Sequence, residues 1–243
     1  MNRTGVLVYG DERIPYQVNE VSTRTNRIAI HVDPDGSVIV DTPPNQSEPL
    51  IAQAIQRRAR WILDHVREAQ ERFRHVMPRE YVSGEQVIYL GRRYVLKVIQ
   101  DDGNVGTVRM KGNRLEVRHA NPIRAKVKVL MRLWYRKRAQ DYLSNRVGVL
   151  SATLPWVAAP PPVRLLEMTR QWGSCTPEGE IILNPHLVKA PRDGIDYVLL
   201  HELAHLRHHD HGSAFRKLLT QHCPNWEASK RQLDAMVEQL VAE

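Results

Sequence analysis

The segment that most constrains this chain runs from residue 197 to residue 206. Tyr197, Val198, Leu199, Leu200, Leu203 and Leu206 make it apolar on nearly every helical face, which is the pattern of a helix buried in a core. The same stretch carries His201, Glu202 and His205. Ionisable groups in such surroundings are costly unless they are used. Any fold for this chain must therefore bury the helix and still give two imidazoles and a carboxylate a task.

Residues four apart on a helix sit one turn apart on the same face, about 6 Å along the axis. His201 and His205 can thus hold one Zn²⁺ through nitrogen at roughly 2.0–2.1 Å. Glu202 points in an adjacent direction, beside the metal without ligating it, where it can accept a proton from water and return it to a leaving group. A catalytic zinc needs a third protein ligand and an open fourth position. His208 is two turns from His201, and His209 is expected to point elsewhere. His211 lies beyond the end of the helix, where Asp210 and Gly212 allow the chain to turn back, so it is the preferred third ligand, with His222 in reserve. The extended pattern His-Glu-x-x-His-x5-His has metzincin-like ligand spacing, with His208 where glycine is usual, and arises by chance in roughly one in a thousand chains of this composition.

The rest of the chain reads as short strands and helices. Residues 27–33 and 37–40 alternate around a Pro34-Asp35-Gly36 turn, a hairpin pattern. Ser47 is placed to cap a helix over 48–75, with Pro49 in its first turn and Ile51, Ile55, Ile62 and Val66 on one face. Two further hairpins are expected, over 86–99 and over 105–118. A helix opened by Pro122 then carries Ile123, Val127, Leu130 and Trp134 on its apolar face. Residues 147–163 are uncharged but contain four prolines and read as a linker rather than a membrane span. Strands are expected at 163–168 and 180–183, a turn at Pro177-Glu178-Gly179, a helix from Asp193, and helices over 213–221 and 226–241. No internal repeat is evident. The expected division is a β-rich region over 1–120 and a catalytic region over 121–243 with a basic helix at 122–146; the two could also form one compact unit.

The net charge of +8 is unevenly placed. Residues 151–243 carry 9 Lys+Arg against 11 Asp+Glu, so the first 150 hold the remaining 26 against 16. That asymmetry suggests an anionic partner or a solvated basic face. Arg124, Lys128, Arg132 and Arg136 form a four-spaced stripe able to meet the phosphates of a nucleic acid. Two cysteines, Cys175 and Cys223, exclude a disulfide scaffold. The opening residues lack the apolar run of a signal peptide, so a soluble cytoplasmic protein is expected.

From residue 170 onward the chain resembles the YgjP-like (DUF45) metallopeptidase-like family, related to the SprT-like and WLM zinc peptidases. The resemblance rests on Trp172-Gly-Ser-Cys175, Gly179-Glu-Ile-Ile-Leu-Asn184, Leu187-Val-Lys-Ala-Pro191, Ile195-Asp-Tyr-Val198, His201-Glu-Leu-Ala-His-Leu206 and Asp210-His211-x-x-x-Phe215. It implies an α+β fold in which N-terminal hairpins and helices pack on a gluzincin-like (zincin) domain. It also implies zinc on His201, His205 and His211, and a catalytic Glu202. Arg216 and Pro185-His186 depart from the family pattern and bear on the substrate pocket. Trp172, Gly173, Ser174 and Asn184 are candidates for substrate binding, against packing roles for Trp172 and Cys175 and a close backbone approach at Gly173. Tyr197, Arg170 and His208 are the candidates for stabilising an oxyanion. The reaction expected is hydrolysis of a peptide or protein; the alternatives are nucleoside triphosphate hydrolysis and nucleic-acid binding with a structural metal.

Overall fold

The structure is a computed structural model of the 243-residue chain, and it describes residues 3–21, 27–33, 36–74, 79–103, 106–168 and 171–241. It is a mixed α+β protein whose chain divides into two compact units, Met1–Met77 and Pro78–Glu243. The division expected near residue 120 places the hairpins over 86–119 with the N-terminal region; here they group with the C-terminal unit.

In the first unit β1 (Arg3–Tyr9), β2 (Glu12–Glu20), β3 (Ala29–Val32) and β4 (Val38–Thr42) form a sheet in the order β1-β2-β4-β3. Two antiparallel hairpins are joined by a parallel β2–β4 pairing. Strand alternation sends Leu7, Ile14, Val18, Ile30, Val38 and Val40 to one face, where they meet α1 (Glu48–Arg57) and α2 (Ala59–Arg74). The helix expected over 48–75 is thus two helices broken at Arg58. The periodicity cannot reveal that break, because Ile51, Ile55, Ala59, Ile62 and Val66 keep facing one core across it. Ser47 precedes α1 without a side-chain cap bond, and Pro49 occupies the first turn as expected. Pro34 and Asp35 of the predicted turn lie outside the described residues.

The second unit opens with β5 (Gln86–Tyr89), β6 (Arg92–Gln100), β7 (Thr107–Lys111) and β8 (Arg114–His119), in the order β5-β6-β8-β7. β6 and β8 are parallel, and each outer strand is antiparallel to its neighbour. The topology repeats that of the first sheet, a repeat the residues themselves do not display. One face carries Val87, Leu96, Leu115 and Val117 against Val127 and Met131 of α3 (Arg124–Ser151). Helix α3 continues through Val147 and Leu150, both buried, so the linker is only residues 152–162. Ile123, expected on the apolar face, is 52% exposed, and Met131 takes the core position instead.

β9 (Val163–Leu165), β10 (Gly173–Cys175) and β11 (Ile181–Leu183) form a small sheet in the order β10-β11-β9, with β10 at the edge. Gly179 at φ +85° makes the turn between β10 and β11. Helix α4 (Arg192–His205) follows, then α5 (Ser213–His222), α6 (Trp226–Asp234) and α7 (Val237–Val241); the last two replace one expected helix. Leu199 and Leu203 of α4 are fully buried, and each stabilises the fold by roughly 1.5–3 kcal/mol relative to exposure. Arg146 of α3 grips Asp196 of α4 through two 2.7 Å hydrogen bonds. Trp156 in the linker donates to the carbonyl of Leu203 at 3.0 Å. Near α7, the buried Lys189 ammonium donates to the carbonyl of Leu240 and lies 4.9 Å from the centre of the Tyr135 ring. Among the described residues no helix is long and apolar enough to cross a membrane.

Candidate metal centre

Helix α4 places His201 and His205 one turn apart, half-buried, beside the fully packed Leu199 and Leu203. The chain leaves the helix at Leu206 and turns, with Asp210 Oδ1 accepting from the amide of Gly212 at 2.9 Å. An aspartate closing its own turn in this way is a common device for reversing a chain, and here it returns His211 to the helix. The Nε2 of His201 lies 3.3 Å from Nε2 of His205 and 3.0 Å from Nε2 of His211. The ring nitrogens of all three lie within 4.8 Å of one another. Nitrogens spaced by about 3.4 Å are what tetrahedral ligation at 2.0–2.1 Å requires.

Other contacts hold the rings in this arrangement. His205 Nδ1 donates to the carbonyl of His208 at 3.0 Å, which leaves its Nε2 lone pair facing the centre. Such an outer partner fixes the tautomer a metal ligand needs. Phe215 of α5, 1% exposed, packs on all three imidazoles with ring centroids 4.7–4.9 Å away. Burial and the neighbouring imidazoles push His201 down to about 4, and burial lowers His205 as well. Ligand histidines must be neutral, so these rings are prepared to donate. The three nitrogens could hold a metal ion, with His211 on the solvent side.

Glu202 is 5% exposed, and burial pushes its carboxyl up to about 8. It packs directly against Gly173 of β10. A Cβ at residue 173 would stand 2.7 Å from Glu202 Cγ and 2.8 Å from its Oε1. Only glycine allows the carboxylate this close to the edge strand. The close backbone approach expected at Gly173 is therefore an approach to Glu202 itself.

A cavity of about 550 Å³ opens over this centre, lined by Gly173, Ser174, Cys175 and Thr176 on one side and His201, Glu202, His205 and His211 on the other. His209 also lines it, although helical spacing alone directs that side chain elsewhere. The loop after α4, whose path the helical period does not predict, is the reason. Trp172 packs on the core instead of lining the cavity. Asn184, weighed as a substrate residue, is 1% exposed and committed to backbone. Its amide donates to the carbonyl of Met168 at 2.7 Å, and its oxygen accepts from the amide of His186 at 3.1 Å. It pins the segment that leads into β10. Cys175 is a free thiol raised by burial and by Glu202 nearby. Tyr197 is buried, stacked on Trp226 and edge-on to His201, outside the cavity lining. His208 acts through its backbone carbonyl, His222 packs edge-on against Trp156, and Arg170 lies outside the described residues.

In the basic stripe on α3, Arg132 is ion-paired to Glu167 through two hydrogen bonds at 2.9 and 3.0 Å, and Arg124 keeps its charge while donating to the carbonyl of Arg79.

A family model described as YgjP-like, metallopeptidase domain, matches residues 26–236. A solved structure described as the metallopeptidase zymogen of Pyrococcus abyssi abylysin is 24% identical over 42% of this chain and 94% of that chain, with a TM-score of 0.33. That likeness is too partial to transfer anything from one protein to the other. No curated protein matches the chain.

Proposed function

The chain belongs to the YgjP-like metallopeptidase domain family, and from that premise we propose that it is a zinc-dependent hydrolase, most directly a peptidase of gluzincin-like arrangement. The observation that carries this reading is one cavity in which three converging imidazoles face a buried carboxylate beside an open strand edge. His201, His205 and His211 would hold the ion. Zinc bound there supplies Lewis acidity to a water and to the scissile carbonyl. In its ionised form Glu202 takes a proton from the attacking water at its carboxylate and passes it to the departing amine. The edge strand β10 positions an extended peptide by backbone hydrogen bonds across Gly173–Cys175. Ser174 contributes at the cavity wall.

The test is Glu202→Gln. The variant is expected to keep its zinc and lose peptide turnover, because the amide cannot accept the proton. Wild-type turnover in the variant would remove Glu202 from the reaction. Hydrolysis of nucleoside triphosphates without any peptide cleavage by the wild type would remove the peptidase reading.

A further inference from the structure

The second sheet has an inner face packed on α3 and an open face, and the register defines the open one. Arg109 on β7, Glu116 on β8 and Lys97 on β6 share a row; Lys111, Arg114 and Val95 share the next; Arg93 continues along β6. Arg93, Lys97, Arg109, Lys111 and Arg114 are all exposed. None of the five side chains has an ion pair or hydrogen bond among the described residues. The one acid in these rows, Glu116, is taken by Arg118, which also binds Asp101. Five of the 26 Lys and Arg of the first 150 residues are therefore gathered on this surface, unneutralised.

The topology does not demand it. The first sheet has the same strand order, and its open face carries Val6, Val8, Pro15, Gln17 and Ile39, with Arg13 the one Lys or Arg among the described residues there. Like charges in adjacent rows repel and weaken a sheet, so five unpaired cations on the second sheet cost stability that the first avoids.

We propose that this face binds the phosphate backbone of a nucleic acid without reading its sequence. Same-face residues repeat about every 7 Å along a strand and about 4.8 Å across strands, giving a two-dimensional grid of cations. The sheet interior has its backbone groups already paired, and the apolar side chains that share this face among the described strand residues are Val95, Ile99 and Ile88, the last buried opposite Arg93. An acidic peptide would look for side-chain pockets or an open strand edge. A polymer that carries one charge per monomer, whatever its sequence, needs only the grid. Three of the five cations are arginines, whose planar forks match phosphate oxygens. This inference does not depend on the hydrolase reading.

The experiment measures binding of the full chain to a short fluorescent DNA duplex and to an RNA strand across a salt series, with polyglutamate as a third probe. The comparison variant replaces all five cations with glutamine. Each phosphate contact adds about 0.9 to the salt slope on a duplex and about 0.7 on a single strand. The five-site variant is therefore expected to lower the slope by about 3.5 on a single strand and about 4.5 on a duplex, and to abolish binding at physiological salt. Two smaller variants, Lys97→Gln with Arg109→Gln and Lys111→Gln with Arg114→Gln, should each lower it by about 1.5, and they cover the case in which the larger variant fails to fold. Arg124→Gln with Arg136→Gln on α3 should leave the slope nearly unchanged. No binding by the wild type at low salt, or a slope unmoved by the sheet variants, would overturn the proposal. Tighter binding of polyglutamate than of either nucleic acid would overturn it too, in favour of an acidic protein partner.

Discussion

Gly173→Ala isolates the contact between the edge strand and Glu202. The added Cβ would stand 2.7 Å from Glu202 Cγ, 2.8 Å from Oε1 and 3.0 Å from Cδ. Carbon atoms rest at about 3.5–4.0 Å, so the carboxylate must withdraw by close to 1 Å. A shift of that size in a reacting group costs on the order of a hundredfold in rate. The cost in stability is smaller, about 1 kcal/mol, because a side chain rather than backbone yields. The three atoms nearest the added Cβ all belong to Glu202, so the imidazoles are expected to keep their positions and zinc content should not change. The assay is kcat/KM on a fluorogenic peptide, read beside zinc stoichiometry and the thermal midpoint. A variant as active as wild type would refute the reasoning, since the carboxylate would then tolerate displacement. Loss of activity together with loss of zinc would refute it as well, since the effect would not be confined to Glu202.

Other consequences concern the frame around the site. Arg146→Ala removes two charged hydrogen bonds that tie α3 to the first turns of α4. It should cost about 2 kcal/mol in urea denaturation, and a change below about 0.5 kcal/mol would show the pair to be incidental. His186 is pushed down to about 4, first by burial and next by the Lys189 ammonium 2.8 Å from its Nδ1, with Arg132 adding to the effect and Glu167 opposing it. An unfolded histidine titrates near 6.5. The unfolded chain therefore binds the extra proton first, and stability falls as pH drops from about 6.5 to about 4, by at most about 3 kcal/mol. His186→Gln should flatten that part of the stability–pH curve relative to wild type; identical curves would contradict the assignment.

Much of the candidate site is legible in the sequence because helical spacing is a strong geometric constraint. His201 and His205 share a helix face by arithmetic, and the break at residues 210–212 offers His211 a way back. The contact between Gly173 and Glu202 joins residues 29 apart in sequence, and no local pattern announces it. Asn184 fits a turn or a pocket equally well by composition; only its backbone partners at Met168, Gln171 and His186 show it to be a pin. His209 reaches the cavity because of a loop path that periodicity does not describe. A run of uncharged residues before the prolines resembles a boundary in sequence, but Val147 and Leu150 continue the buried face of α3, so the linker is shorter than that run. The repeated sheet topology was hidden for a different reason. Strand order depends on long-range pairing, and the two sheets share alternation and turns but not residues.

The central claim is that three histidines form one metal site. Metal analysis of the purified wild type and of His211→Ala tests it most directly. About one zinc per chain in the wild type, lost in the variant, is the predicted result. Full zinc retention by the variant, or a wild type that binds none when supplied with zinc, would contradict the site.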